Sequence, residues 1–472
     1  MKKSLIVLLS IMLVVGFSVS ANALHKTPDL EYIPGVVTKE GVQVEMSGSI
    51  RLRGRIVDNA ATMNEDDGDH EDRYDSRIRL QFKVRVSENT FGVLELENGG
   101  GRTSDGTNWG SAQGSTGFLG NNLGDAKLDS LFLRQAYISH QFHPTGNKNY
   151  HTGIKAGHML IALGNGLFLD HTLFGDDAII LWTDAGPGEV AFAYVKFDEG
   201  LGDATRSPAE LADDTDAYVL TLDLPLDNIN ISADISYVDG QNQDTLAADG
   251  VTILDTNNNL HLWNIGARGD INIAGLTIRG DLEVQTGELE AGTPGGSDTD
   301  FSGWATLVGV DYEIPGVGIK ISSEFAYGSG DDDAGDNDME AFVTSQSGYQ
   351  SYTYVYENNV KSAAGATGTG LSNTWYVNVG ASLKPMPNLM VSSDIYYLGA
   401  AEDVALNDDS AGADPDDNLG WEINGNIEYE VGTNILYYIE GGVLFPGDAY
   451  DQADGDSADN VYAVRHGLIL KF

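Results

Sequence analysis

Val42 to Val57 alternates between two kinds of residue as far as Ile56. Val42, Val44, Met46, Gly48, Ile50, Leu52, Gly54 and Ile56 hold the even positions; Gln43, Glu45, Ser47, Ser49, Arg51, Arg53 and Arg55 hold the odd ones. A period of two places successive side chains on opposite faces of a strand, whereas a helix would mix the two sets. The next stretch repeats the pattern, with Ile78, Leu80, Phe82, Val84 and Val86 against Arg77, Arg79, Gln81, Lys83 and Arg85. Such strands need an apolar medium on one side and water on the other.

Similar strands are expected near 90–98, 129–142, 149–159, 177–184, 189–198, 216–224, 229–239, 259–271, 276–287, 302–313, 319–328, 373–384, 389–399, 419–430, 434–445 and 461–472. With the first two they make eighteen, an even number suited to a closed antiparallel barrel. Sixteen is the alternative count, because 90–98 and 177–184 alternate weakly. Short connections rich in turn residues (Ser87-Glu88-Asn89, Pro144-Thr145-Gly146-Asn147, Gly186-Pro187-Gly188, Pro225-Leu226-Asp227-Asn228, Pro315-Gly316, Pro385-Met386-Pro387-Asn388, Val431-Gly432-Thr433-Asn434) alternate with long ones. The fold class expected is all-β: a transmembrane antiparallel β-barrel with long acidic outer loops and short periplasmic turns. A secreted soluble sandwich or β-helix is the competing fold.

Lys2 and Lys3, the apolar run Leu5 to Val15 and the small-x-small site Ala21-Asn22-Ala23 have the form of a secretory signal peptide. Residues 1–23 are therefore expected to be removed, 24–41 to form a periplasmic N-terminal segment and 42–472 to form the barrel. No later run of eighteen apolar residues provides a spanning helix. In lipid, an Arg or Lys facing outward near the midplane costs about 2–4 kcal/mol, so the arginine face must be the lumen.

The chain has no cysteine, which excludes disulfide scaffolds and thiolate sites. Its 26 Lys+Arg against 71 Asp+Glu give a formal net charge of −45, which argues against nucleic-acid partners. The long loops carry much of the acid: Asn64-Glu65-Asp66-Asp67-Gly68-Asp69, Asp331-Asp332-Asp333, Asp408-Asp409, Asp414-Pro415-Asp416-Asp417, and Asp451, Asp454, Asp456 and Asp459. They read either as solvated surface or as places where divalent cations bind loosely; none has calcium-loop spacing, so no metal ligands and no cofactor are assigned.

Eight of the 26 basic residues fall between positions 51 and 85: Arg51, Arg53, Arg55, Arg73, Arg77, Arg79, Lys83 and Arg85. All but Arg73 are taken as a pore-lining ladder, with Glu95 and Glu97 as pore-lining acids placed to pair with part of it. The ladder is either a structural feature satisfied by such acids or a wall that handles anionic groups. The connection LIALGNGLFLDHTLFGDD (160–177) is too apolar for a loop in water. It is expected to fold inward and narrow the lumen opposite the ladder, with Asp170, His171, Asp176 and Asp177 lining the constriction.

These features together resemble a Gram-negative outer-membrane porin. The final strand VYAVRHGLILKF, ending in Phe472, resembles the C-terminal signal read by the outer-membrane assembly machinery. A narrower likeness joins LRQAYISHQF (133–142) and KAGHMLIALGNG (155–166) to alginate-export-type barrels, with His158 standing where that pattern has Arg. The resemblance implies a location in the outer membrane of a Gram-negative bacterium, with lipid and lipopolysaccharide around the barrel. It also implies passive diffusion of small hydrophilic solutes, and at the level of the class a homotrimer. A polysaccharide export or uptake conduit is the alternative, and a non-conducting adhesin or structural barrel belongs to another class.

An outer-membrane enzyme needs a nucleophile and a base within hydrogen-bond reach. The one adjacent pair, Ser139-His140, points to opposite faces of its strand, and neither a Gly-x-Ser-x-Gly elbow nor a metalloprotease motif occurs. No enzymatic activity is expected. His143, His151 and His158 fall around one turn and read as unligated surface histidines.

Overall fold

A computed structural model describes residues 35–39, 41–66, 68–98, 107–108, 131–142, 151–198, 214–246, 253–292, 296–333, 335–346, 352–364, 370–406, 414–452 and 456–472. The expected signal peptide, His143, the 144–147 turn, Asp67, Asp408, Asp409 and Asp454 lie outside the described residues.

Eighteen strands make one closed sheet. The first six are β1 (Val42–Asp58), β2 (Glu71–Ser87), β3 (Thr90–Asn98), β4 (Leu131–Phe142), β5 (Thr152–Met159) and β6 (Asp176–Ala185). Next come β7 (Gly188–Asp198), β8 (Thr215–Leu226), β9 (Ile229–Leu246), β10 (Ile253–Ile273), β11 (Leu276–Glu290) and β12 (Trp304–Ile314). The last six are β13 (Ile319–Gly328), β14 (Thr374–Met386), β15 (Leu389–Val404), β16 (Asp416–Gly432), β17 (Ile435–Pro446) and β18 (Val461–Lys471). Sequence neighbours pair antiparallel, and β1 meets β18 from Ser49↔Lys471 to Asp58↔Tyr462, which closes the barrel. Part of the expected N-terminal segment joins the wall: Gly35–Lys39 pairs back on Val42–Met46. Short turns such as Asp227-Asn228 and Ala274-Gly275 join strands at one end, with Ala274 and Gly275 taking the positive φ that so tight a reversal requires.

The two faces follow the alternation. Leu52 and Ile56 point outward, 39% and 49% exposed, while Arg51, on the opposite face, is 6% exposed. Aromatic residues stack across neighbouring strands near the outer edge of the apolar band. Tyr194, Tyr218, Tyr237 and Trp263 follow one another on β7 to β10, with ring centroids 5.5, 6.3 and 4.6 Å apart. Amphipathic rings at the boundary of lipid and water give the wall its anchor.

The inner face of β6–β8 is largely apolar. Ala178, Ile180, Trp182, Ala191, Ala193, Val195, Ala217 and Val219 are all buried there. Against this wall pack Met159, Ile161, Leu163, Leu167, Phe168 and Leu169, all nearly inaccessible. The core of the molecule therefore lies inside the barrel, between its wall and inserted loops. A second connection, the long one between β13 and β14, also turns inward. Its Ser345 and Gln346 pair parallel with Leu169 and Asp170, and it carries a single helical turn, Tyr356–Asn359.

Candidate functional site

The lumen wall divides into arcs of different chemistry. The basic arc spans β18, β1 and β2, where register sets Arg51 opposite Arg77 and Arg55 opposite both Arg73 and Arg465. Carboxylates on the same strands temper it. Asp75 accepts from Arg51 at 3.1 Å and from Arg53 at 2.7 Å; Glu71 takes Arg73 at 3.0 Å and Arg55 at 3.5 Å. Glu97 pairs with Arg79. At the turn end, Arg85 approaches Glu45 at 3.8 Å and Lys83 lies 4.7 Å from the centre of the Phe91 ring.

Glu95 behaves differently from the expectation. It pairs with Arg134 at 2.9 Å and accepts from Gln81 and Gln135, so its partner is on β4. Arg134 was legible in LFLRQAY as an inward position, yet falls outside the ladder. It also donates to the backbone carbonyls of Leu173 and Thr172 at 3.2 and 2.6 Å, fastening the root of the first inserted loop.

That loop inserts, but its acids occupy other places than facing the ladder. His171 bonds Asp176 at 2.7 Å and Ser345 at 3.1 Å, with its ring 4.9 Å from Phe197. Asp170 accepts from the backbone N–H and hydroxyl of Thr172, which shapes the loop's own turn. Asp177 shares the outward parity of Ile179 and Leu181, its side chain 76% exposed and 3.1 Å from His158. The reason is the period of two: once Asp176 opens β6 facing inward, Asp177 must face out. His151 likewise pairs with Asp184 at 3.1 Å.

The loop tip crosses to a third arc. Asn165 donates to Asp281 at 2.9 Å, and Gly164 lies against Arg268 so closely that a Cβ would fall 1.9 Å from its Nε. Arg268 sits among Asp234 at 2.5 Å, Asp281 at 3.3 Å and Glu283. Beside it, Arg279 meets Glu324 at 2.5 Å and also Asp311, which Lys320 approaches at 3.2 Å.

The segment that does meet the basic arc comes from the second inserted loop. Gln285 holds Val343 through both its N–H and its carbonyl, at 2.9 and 2.7 Å. Farther on, the fully buried Glu422 accepts three backbone N–H groups, from Tyr354, Val355 and Tyr356, at 2.7–2.8 Å. This seats the Tyr354 ring 4.7 Å from the Arg465 guanidinium. The sequence signal was the inward parity of Glu422, Asn424 and Asn426 in WEINGNIEYE together with the aromatic run YTYVY.

At the outer rim, the carboxylates of Asp331, Asp332 and Glu340 lie within 4.8 Å of one another. Burial first, then neighbouring acids, raises Asp331; Asp332 foremost raises Glu340.

A closed eighteen-strand barrel with an apolar belt and an ionised interior defines an outer-membrane β-barrel of porin architecture, in the outer membrane of a Gram-negative bacterium. The chain belongs to the alginate export family, whose model matches residues 215–464, from β8 to β18. The likeness read at 133–166 lies outside the matched residues. Among solved structures, the fold is similar to a BenF-like porin from Pseudomonas fluorescens Pf-5, with TM-score 0.53 and 11% identity over 91% of this chain and 98% of that one. It is similar also to Pseudomonas aeruginosa OccK11 (OpdR), with TM-score 0.51 and 11% identity over 91% and 96%. OccK8 (OprE) of the same organism gives TM-score 0.51 and 10% identity over 91% and 98%. No curated relative matches in sequence.

Proposed function

We propose that this protein is a water-filled channel through which small hydrophilic solutes cross the outer membrane by diffusion. The basic arc carries the reading. Two like charges 5 Å apart repel by about 0.8 kcal/mol in water and about four times that at an effective dielectric near 20. Arg55 stands opposite both Arg73 and Arg465, and their side chains are 22%, 35% and 30% exposed, which suits a wet lumen; Arg51, buried on the same strand, is instead matched by Asp75. Purified protein in planar bilayers is expected to give stepwise conductance; a folded but silent protein would point to a structural barrel or adhesin.

Membership in the alginate export family supports a second reading, a conduit for an acidic polysaccharide. Anionic oligosaccharides would then reduce the single-channel current at millimolar concentration, an effect lost when the basic arc is neutralised.

A further inference from the structure

On the lumen side of β15–β17 the inward residues are amides, phenols and carboxylates. Tyr396, Asn424, Asn426 and Asp394, with Tyr352 and Tyr354 from the inserted loop, line a cavity of about 150 Å³. Two residues of this lining each carry a buried polar atom, Tyr354 Oη and Asn424 Oδ1, with no hydrogen-bond partner among the described residues. Tyr354 itself is only 5% exposed. Buried polar groups are ordinarily paired, and two orphans on residues that line a polar cavity mark it as a place for water or a ligand.

The chemistry of the lining narrows the ligand. Phenol and amide groups offer both donors and acceptors, and carboxylates accept from hydroxyls. Burial pushes the Tyr354 phenol up to about 12, against the pull of Arg465, so the hydroxyl keeps its proton at neutral pH. Arg465, the cation on the lining, is matched by Glu440 at 2.5 Å and covered by the Tyr354 ring. Asp394 adds a second carboxylate. A solute carrying its own carboxylate would meet two like charges and a guanidinium already matched; an uncharged polyol would meet only hydrogen-bonding groups.

We propose that this cavity is a binding subsite for one uncharged, hydroxyl-rich ring of a sugar-like solute, a proposal that rests on the channel reading above. The probes are D-glucose and D-glucuronate, which differ at a single carbon. In planar bilayers glucose is expected to reduce the current saturably and at lower concentration than glucuronate. Tyr354→Phe keeps the ring over Arg465 but removes the orphan hydroxyl, and Asn424→Ala removes the orphan carbonyl. Each should raise the half-blocking glucose concentration about five- to tenfold, the weight of one net hydrogen bond, with the sugar-free conductance kept in Tyr354→Phe. Unchanged half-block in both variants, or tighter block by glucuronate, overturns the subsite. A channel that conducts nothing would end the diffusion reading instead. Saturation-transfer NMR with glucose on the detergent-folded protein then decides the subsite alone. Transfer present in the parent and lost in Tyr354→Phe supports it; transfer absent from the parent or unchanged in the variant overturns it.

Discussion

Gly48 lies beneath the ring of Phe472. The two residues exchange backbone hydrogen bonds, Gly48 N to Phe472 O at 2.6 Å and Phe472 N to Gly48 O at 3.0 Å. A Cβ on Gly48 would come within 2.8 Å of the Phe472 ring and 2.6 Å of the Arg79 carbonyl. Both residues belong to the outward parity of their strands, so the terminal aromatic covers the seam on its lipid side. Gly48→Ala is expected to lower the yield of the compact, heat-modifiable band on unboiled gels. Gly432→Ala, where a Cβ meets nothing within 4 Å, should leave that band unchanged.

Glu422 holds the second inserted loop by three backbone hydrogen bonds to a charged acceptor, each of a kind worth about 1.5–3 kcal/mol. Glu422→Ala removes the acceptor and leaves three N–H groups unsatisfied. Single-channel recordings should show a larger or noisier open current, while Glu428→Ala on the same strand should not.

The first inserted loop is held chiefly by apolar contact with β6–β8. Phe168→Ala should weaken its docking by about 3–5 kcal/mol, the usual loss for a buried aromatic. Deletion of residues 164–172 should raise single-channel conductance and relax size exclusion. An unchanged conductance in a folded deletion variant would place this loop outside the conduction path.

Reversal potentials under a salt gradient test the basic arc. Neutralising Arg51, Arg53, Arg77 and Arg79 together should shift selectivity toward cations. The shift should persist at high salt better than the contribution of the outer loops, which is screened within about 8–10 Å at moderate ionic strength. No shift at any salt concentration would make the ladder structural.

The rim acids give a pH dependence. Raised from their ordinary values, the carboxyls of Asp331 and Glu340 take up protons before unperturbed loop acids as pH falls from neutrality. The sign follows: their mutual repulsion opposes this loop arrangement above the folded-state pKa and is relieved below it. Cation preference measured at low salt should therefore begin to decline early on acidification. Asp332→Asn, which removes the main cause at Glu340, should move that decline to lower pH.

The alternation of Val42–Val57 was enough to fix a strand, its two faces and, with seventeen relatives, the closed barrel; even the weakly alternating 90–98 and 177–184 are strands in the wall. Such information is local, because a period of two and an arginine's aversion to lipid act within one strand. The same locality made the burial of Leu160 to Leu169 legible as a need. Where that need is met was decided by small inward residues, Ala191, Ala193 and Ala217, on strands far along the chain, which leave room for the loop. Asp177 illustrates the limit: only the residue at which β6 begins sends it out and Asp176 in. The partner of the basic arc also came from tertiary structure. Glu422 and Tyr354 are 68 residues apart, and no local pattern could show that three backbone N–H groups would converge on that one carboxylate.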